Sequence, residues 1–249
     1  MTRMKELYRT IIERFVSLSE VKDALEENIA IRAKSLSPEE AIGVTERKDY
    51  PILTGRDVMI EADYKGTKGQ AFTDSPSDWS GTLLSLLSMD FVKDPHARGL
   101  LIATINAVMG HYGLCDRMIH CKNEGPKKCG TEVARTIAST YGNPKTLIIG
   151  YQPSIIENLS KTLEGLRVLD LNPDYIGQER FSLTVENGAD PAVMEDAKNW
   201  AELILCTGST VCNGTLTDYL DTGRETLFYG TTIAGTAVLL GLKRICFSE

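Results

Sequence analysis

At 249 residues, 42% of them hydrophobic and 24% charged, the chain has the composition of a soluble globular protein with room for a sizeable core, which argues against disorder. No apolar run approaches the ~18 residues of a membrane span. The N-terminus mixes Arg3, Lys5, Arg9 and Arg14 with acidic residues instead of carrying a signal-peptide core, so a cytoplasmic protein with no membrane partner is expected. A net charge of -7 without a basic run excludes a nucleic-acid backbone as the main partner. The length favours two domains and leaves a homo-oligomer open.

From Met4, the apolar residues Leu7, Ile11, Phe15, Leu18, Val21 and Leu25 recur at helical spacing, predicting one helix that stops near Asn28. Ser37-Pro38-Glu39-Glu40 has capping-box residue types, yet Gly43 and Thr45 follow so soon that only a turn before a strand is expected. Strands are expected at 41–45, 50–53 and 58–64, with turns at Gly55 and Gly66. Residues 74–81 read as a loop feeding a short helix at 82–87. Asp94-Pro95 supplies cap and first helical residue for a helix carrying Leu100, Leu101, Ile105 and Val108 and stopping at Gly110. Residues 1–110 therefore predict a small α+β domain.

Residues 111–143 read as a connecting segment with at most one helix, near 131–139. Beyond Asn143-Pro144, short apolar strands (146–149, 166–171, 203–206, 226–229, 244–247) alternate with helices (154–163, 190–200, 216–220, 234–240), and 181–185 offers a further strand. This rhythm predicts an α/β fold with a parallel, doubly wound sheet over 111–249.

In such a sheet, ligands bind beyond the carboxyl ends of the strands, where strand order reverses. The loops this selects are Gly150-Tyr151-Gln152-Pro153, Asp170-Leu171-Asn172-Pro173, Thr207-Gly208-Ser209-Thr210-Val211-Cys212-Asn213-Gly214-Thr215 and Gly230-Thr231-Thr232. Asp170 follows Gly150 by about 20 residues, the spacing at which dinucleotide-binding units place an acid for ribose hydroxyls. The glycine fingerprint is incomplete, however. Gln152 and Ile155 stand where glycines would be needed, and Pro153 removes an N–H donor from the docking position of a pyrophosphate. A nicotinamide dinucleotide is thus less favoured than a nucleoside-type cofactor such as S-adenosylmethionine, or another small polar or anionic molecule. In the 207–215 stretch, a helix cap at Thr210 or Asn213 and a positive φ at Gly208 would account for part of the composition. They leave the run of small hydroxylated residues to a binding role.

The six cysteines form no C-x-x-C pair, and reduced thiols are the expectation. His111, Cys115, His120, Cys121 and Cys129 could supply donors to a soft or transition metal ion, though their spacing matches no zinc module. Cys129, between Lys128 and Gly130 with Lys127 close by, could be an acidified nucleophile or redox centre. No G-x-S-x-G is present, and no catalytic residue can be assigned.

The Gly150-to-Pro153, Asp170-to-Pro173 and Thr207-to-Thr215 motifs, together with Leu101-Ile102-Ala103-Thr104-Ile105-Asn106-Ala107, resemble the heavy-metal chelation family, a domain of unknown function. The resemblance implies a C-terminal Rossmann-like domain preceded by one similar to the N-terminal domain of enolases, with a site in the cleft between them. The barrel that carries enolase chemistry is absent, so that activity is not implied. Asn106 and the Ser80-Gly81-Thr82 turn become the N-terminal candidates to face the cleft. The expected function is binding of a small polar or anionic ligand, in chelation or in making or modifying a chelator. A group-transfer or redox enzyme using S-adenosylmethionine or a nucleotide, and a non-catalytic Cys/His metal-binding module, remain the alternatives.

Overall fold

The computed structural model describes residues 2–26, 30–54 and 57–248. The helix end expected near Asn28 and the turn at Gly55 lie outside them. The first expected helix is two: α1 (Thr2–Ser17) and α2 (Ser19–Glu26), separated at Leu18. Four antiparallel strands follow, β1 (Ala30–Leu36), β2 (Val58–Tyr64), β3 (Thr67–Thr73) and β4 (Trp79–Thr82), in the order β3-β2-β1-β4.

The strand expected at 41–45 does not form. Ser37 Oγ accepts from Glu40 N–H at 3.2 Å and Glu40 returns a carboxylate to Ser37 N–H at 2.9 Å, and this complete capping box winds α3 (Pro38–Ile42) instead. Residues 50–53 are likewise no strand. A 3₁₀ turn (Pro51–Thr54) stands there, headed by a proline that has no ladder donor.

After α4 (Leu83–Leu87) comes α5 (Pro95–His111), whose N-cap Asp94 accepts from His96 N–H at 2.9 Å. Every residue of α5 from Ala97 to Met109 is buried, as expected for a helix that is apolar all round. One side packs on β2 and β3, the other on α9 (Thr210–Asn213) and α10 (Ala234–Leu240). The helix thereby joins the two sheets.

The connecting segment holds a longer helix than expected, α6 (Gly125–Tyr141). The second sheet contains β5 (Thr146–Ile149), β6 (Leu166–Asp170), β7 (Glu179–Arg180), β8 (Leu183–Asn187), β9 (Leu203–Thr207), β10 (Glu225–Tyr229) and β11 (Arg244–Ile245). Their order is β11-β10-β9-β5-β6-β8-β7, parallel except for β7. Helices α7 (Pro153–Ser160) and α8 (Pro191–Trp200) complete the alternation. The helix expected at 216–220 is only a 3₁₀ turn (Leu216–Asp218), because α9 has already formed inside the 207–215 stretch.

The chain runs outward from β5 through β6 to β8, then returns to β9 on the other side of β5, so strand order reverses between β5 and β9. One cluster of buried side chains links Ile60 and Ala71 of the antiparallel sheet, Leu101 and Ile105 of α5, and Leu147, Ile204 and Phe228 of the parallel sheet. Among the described residues, no helix is long and apolar enough to cross a membrane.

Candidate functional site

A cavity of about 360 Å³ opens at the carboxyl ends of the parallel strands, a size suited to a small molecule. Its floor is made by the loops after β5 (Gly150, Tyr151), β6 (Asp170, Asn172), β9 (Thr207, Ser209, Thr210, Asn213, Thr215) and β10 (Gly230, Thr231). Its roof comes from the N-terminal part of the chain: Tyr50, Asp57, Phe72 and Asp74. His120, Cys121, Cys129 and Cys246 form a side wall.

Roof and floor are tied together by Tyr50 and Ser154, whose hydroxyls are 2.7 Å apart, and by Phe72 N–H, which donates to Thr232 Oγ1 at 3.0 Å. Arg47 adds a charged tie, with 2.5 Å contacts to Asp49 and to Glu157 of α7.

The floor is built tightly. Gly150 has φ +92°, and a Cβ there would lie 2.7 Å from Thr207 Cγ2, so a side chain would be both strained and crowded. Beneath it, Tyr229 donates its hydroxyl to the carbonyls of Ile149 and Gly150, at 3.1 and 3.0 Å. Gly208 does not take the positive φ expected of it. Its place is set by Ile233, whose backbone N and Cβ would each be 2.9 Å from an added Cβ; the positive φ belongs to Gly214, at +82°. Asn213 Oδ1 accepts from the backbone N–H and hydroxyl of Thr215 at 3.0 and 2.7 Å, and Thr210 donates its hydroxyl to the Thr207 carbonyl at 2.7 Å.

Asp170 is held by the protein's own backbone: Oδ2 accepts from Tyr151 N–H at 2.6 Å and Oδ1 from Asn172 N–H at 2.7 Å. Burial raises its pKa, while these N–H donors oppose the rise. At the start of α7, Gln152 Oε1 accepts from Ile155 N–H at 3.0 Å and Pro153 has no N–H at all. The donors that would greet a pyrophosphate are therefore occupied or missing.

Facing these groups from the roof, Asp57 has its pKa raised to about 6 by burial, with Asp170 and Asp74 adding repulsion. Among the described residues that line the cavity there is no Lys or Arg. Thr231 is 2% exposed, and its hydroxyl has no hydrogen-bond partner among the described residues.

Several sequence candidates stand elsewhere. Asn106 is fully buried and saturated. Its Nδ2 donates to the carbonyls of Gln70 (2.9 Å), Thr231 (3.2 Å) and Thr232 (3.0 Å), and its Oδ1 accepts from Gly235 N–H (2.8 Å). It bolts α5 to both sheets and does not line the cavity. Gly208 and Gly214 are absent from the lining as well. Ser80, Gly81 and Thr82 belong to β4, at the edge of the antiparallel sheet, also away from the cavity. Sequence reasoning missed the roof residues Asp57 and Asp74, since turn acids near strands ordinarily read as solvated.

Residues 134–239 match the family described as "Putative heavy-metal chelation", DUF364. Over that segment, the chain is similar to the heavy-metal chelation family. The match contains Gly150, Asp170 and the whole 207–215 motif; Leu101-to-Ala107 precedes it. The chain is also similar to two solved structures of DUF364 proteins with unknown function. One, from Pyrococcus horikoshii, is 14% identical over 91% of this chain and 79% of that one, with a TM-score of 0.48. The other, from Desulfitobacterium hafniense DCB-2, is 14% identical over 75% of this chain and 72% of that one, with a TM-score of 0.47. No curated protein matches the chain.

The description of the heavy-metal chelation family implies a metal, and the donors present do not form a ready set for one. Among the described residues, no group of three or more His, Cys, Asp or Glu side chains is placed to hold a metal ion. His111 is hydrogen-bonded to the Thr67 hydroxyl at 3.2 Å and set edge-on to Tyr64. Cys115 Sγ lies 3.8 Å from the Asn106 carbonyl. His120 donates Nδ1–H to the Cys121 carbonyl at 2.8 Å, and burial pushes its pKa down to about 4, so it is neutral at physiological pH. Of the five sequence candidates, Cys121 and Cys129 come close enough to interact, which lowers the pKa of Cys129 to about 7 and raises that of Cys121.

Proposed function

We propose that the protein binds a small polar molecule bearing a positive charge in the cavity at the ends of β5 and β9. The observation that carries this reading is the lining itself, where Asp57, Asp74 and Asp170 stand together without a Lys or Arg among the described residues. An anion would meet uncompensated carboxylates there, and the N–H of Tyr151, which could have met it, already serves Asp170. A cation would offset the burial, and the repulsion from Asp170 and Asp74, that raise the pKa of Asp57. The Thr231 hydroxyl offers a further buried hydrogen-bonding group. This moves the expectation from an anionic to a cationic ligand. The family's description supports a chelator, its precursor or a metal chelate. Since no three ligand side chains assemble among the described residues, a bound metal would bring small-molecule donors of its own.

A second reading, S-adenosylmethionine, is favoured by Asp170, which closes the strand next to β5, where nucleoside-binding sheets place the acid for ribose hydroxyls. Its sulfonium and amine suit the acidic wall, whereas the diphosphate of a nicotinamide dinucleotide does not.

Native mass spectrometry of freshly purified protein, followed by thermal-shift assays, tests both readings. A copurified cationic or amine-bearing molecule is expected. S-adenosylmethionine, on the second reading, raises the melting temperature of the wild type and not of Asp170→Asn. A copurified diphosphate or polycarboxylate would overturn the proposal.

A further inference from the structure

Cys121 and Cys129 take no part in that reading, yet they are set apart from the other thiols. Cys206, Cys212 and Cys246 are buried, and Cys115 stands alone against a backbone carbonyl. Cys121 and Cys129 are both partly exposed and both line the cavity, on the same wall. Their proximity is built into the chain. Cys121 lies in the coil four residues before the start of α6, so close to the helix that a Cβ on Gly125 would be 2.7 Å from Cys121 Cβ. Cys129 follows in the early turns of α6. Around Cys129, the Cys121 thiol, the Phe247 backbone N–H and the Arg117 guanidinium favour the thiolate against burial, whereas Cys129 and burial together raise the pKa of Cys121.

We propose that Cys121 and Cys129 form a redox-active dithiol that exchanges with low-molecular-weight disulfides entering through the cavity. The Cys129 thiolate attacks one sulfur of a disulfide RSSR, forming a mixed disulfide and expelling RS⁻. Cys121 then loses its proton and attacks Cys129 Sγ, closing the Cys121–Cys129 bond and expelling the second RS⁻. Two protein thiols are oxidised and one RSSR is reduced to two RSH, the two thiol protons balancing the two expelled thiolates. The roles follow from the surroundings: the thiolate stabilised by its neighbours attacks, and the protonated partner resolves.

The test treats the reduced full-length protein with cystamine, a small disulfide whose two amines suit the acidic lining, quenches by alkylation and maps the peptides by mass. The wild type is expected to yield a Cys121–Cys129 crosslink. Cys121→Ser is expected to stop at a cysteamine adduct on Cys129. In Cys129→Ser, whose folding is checked by circular dichroism, Cys121 is expected to react about tenfold more slowly than Cys129 does in the wild type. Absence of the crosslink in the wild type under excess disulfide, a crosslink to another cysteine, or undiminished reactivity of Cys129→Ser would overturn the proposal. The readout is disulfide formation, not ligand retention, so its outcome is distinguishable from that of the function proposed above.

Discussion

Asn106 and Asp170 are polar side chains of the kind that meet ligands, and in this fold both are committed first to backbone groups. For Asn106 the commitment is complete: four hydrogen bonds satisfy the amide, and they join β3, α5 and the loop after β10. Asp170 keeps lone pairs toward the cavity while pinning the loops after β5 and β6. Among the described residues no such donor reaches Asp57, and burial raises its carboxyl from 3.8 to about 6. A carboxyl whose folded pKa lies above its unfolded one contributes stability below the unfolded value and loses it as pH rises through the folded value. The native state is therefore expected to weaken between about pH 4 and 7 on account of this group. Asp57→Asn removes the burden. It is expected to stabilise the protein at pH 8 by on the order of 2 kcal/mol, with little effect below pH 4. Urea melts at the two pH values check this, and equal effects at both would count against it.

Among the elements, α5 is the one on which the others depend, and β3 is its closest neighbour. The approach is possible because Gly69 has no side chain: a Cβ there would sit 2.2 Å from Ala107 N and 2.5 Å from the Ala103 carbonyl. Both are helix backbone atoms and cannot swing aside. Gly69→Ala is thus expected to cost about 2–3 kcal/mol, the upper range for overpacking a core. A urea midpoint within error of the wild type would show that α5 can shift outward. The elements that departed from expectation did so for local reasons with tertiary support. Ser37 and Glu40 complete a capping box that holds α3 despite Gly43, whose N–H donates back to the Glu39 carbonyl at 2.9 Å. The α9 turn forms within the 207–215 motif where Val211 and Cys212 can be buried against α5.

For the molecule as a whole, the main apolar cluster draws on both sheets, so the two parts share a core. Unfolding is expected to be a single transition. Trp79 on β4 and Trp200 at the end of α8 both pack against that cluster from opposite parts of the chain. Variants Trp79→Phe and Trp200→Phe each leave one reporter, and their fluorescence midpoints in urea are expected to coincide. Two separated midpoints would mean that the parts melt independently.

The parallel sheet, most of its helices and the loops flooring the cavity were legible in the residues, because strand length, Pro caps and apolar periodicity act within a few residues of one another. The short antiparallel strands β1, β3 and β4 were not legible, since their pairing across one sheet, such as Ala33 with Ala62, leaves little trace in local pattern. The same holds for the site. Composition marked the floor, from Gly150 to Thr231, as small and polar. The fold decided that Asp57 and Asp74 join Asp170 around one cavity, that Asn106 is withdrawn into the core, and that Cys121 and Cys129 share the cavity wall. Those outcomes depend on α5 pressing the two sheets together, a contact between residues distant in the chain whose energy comes from shared burial rather than from any local preference.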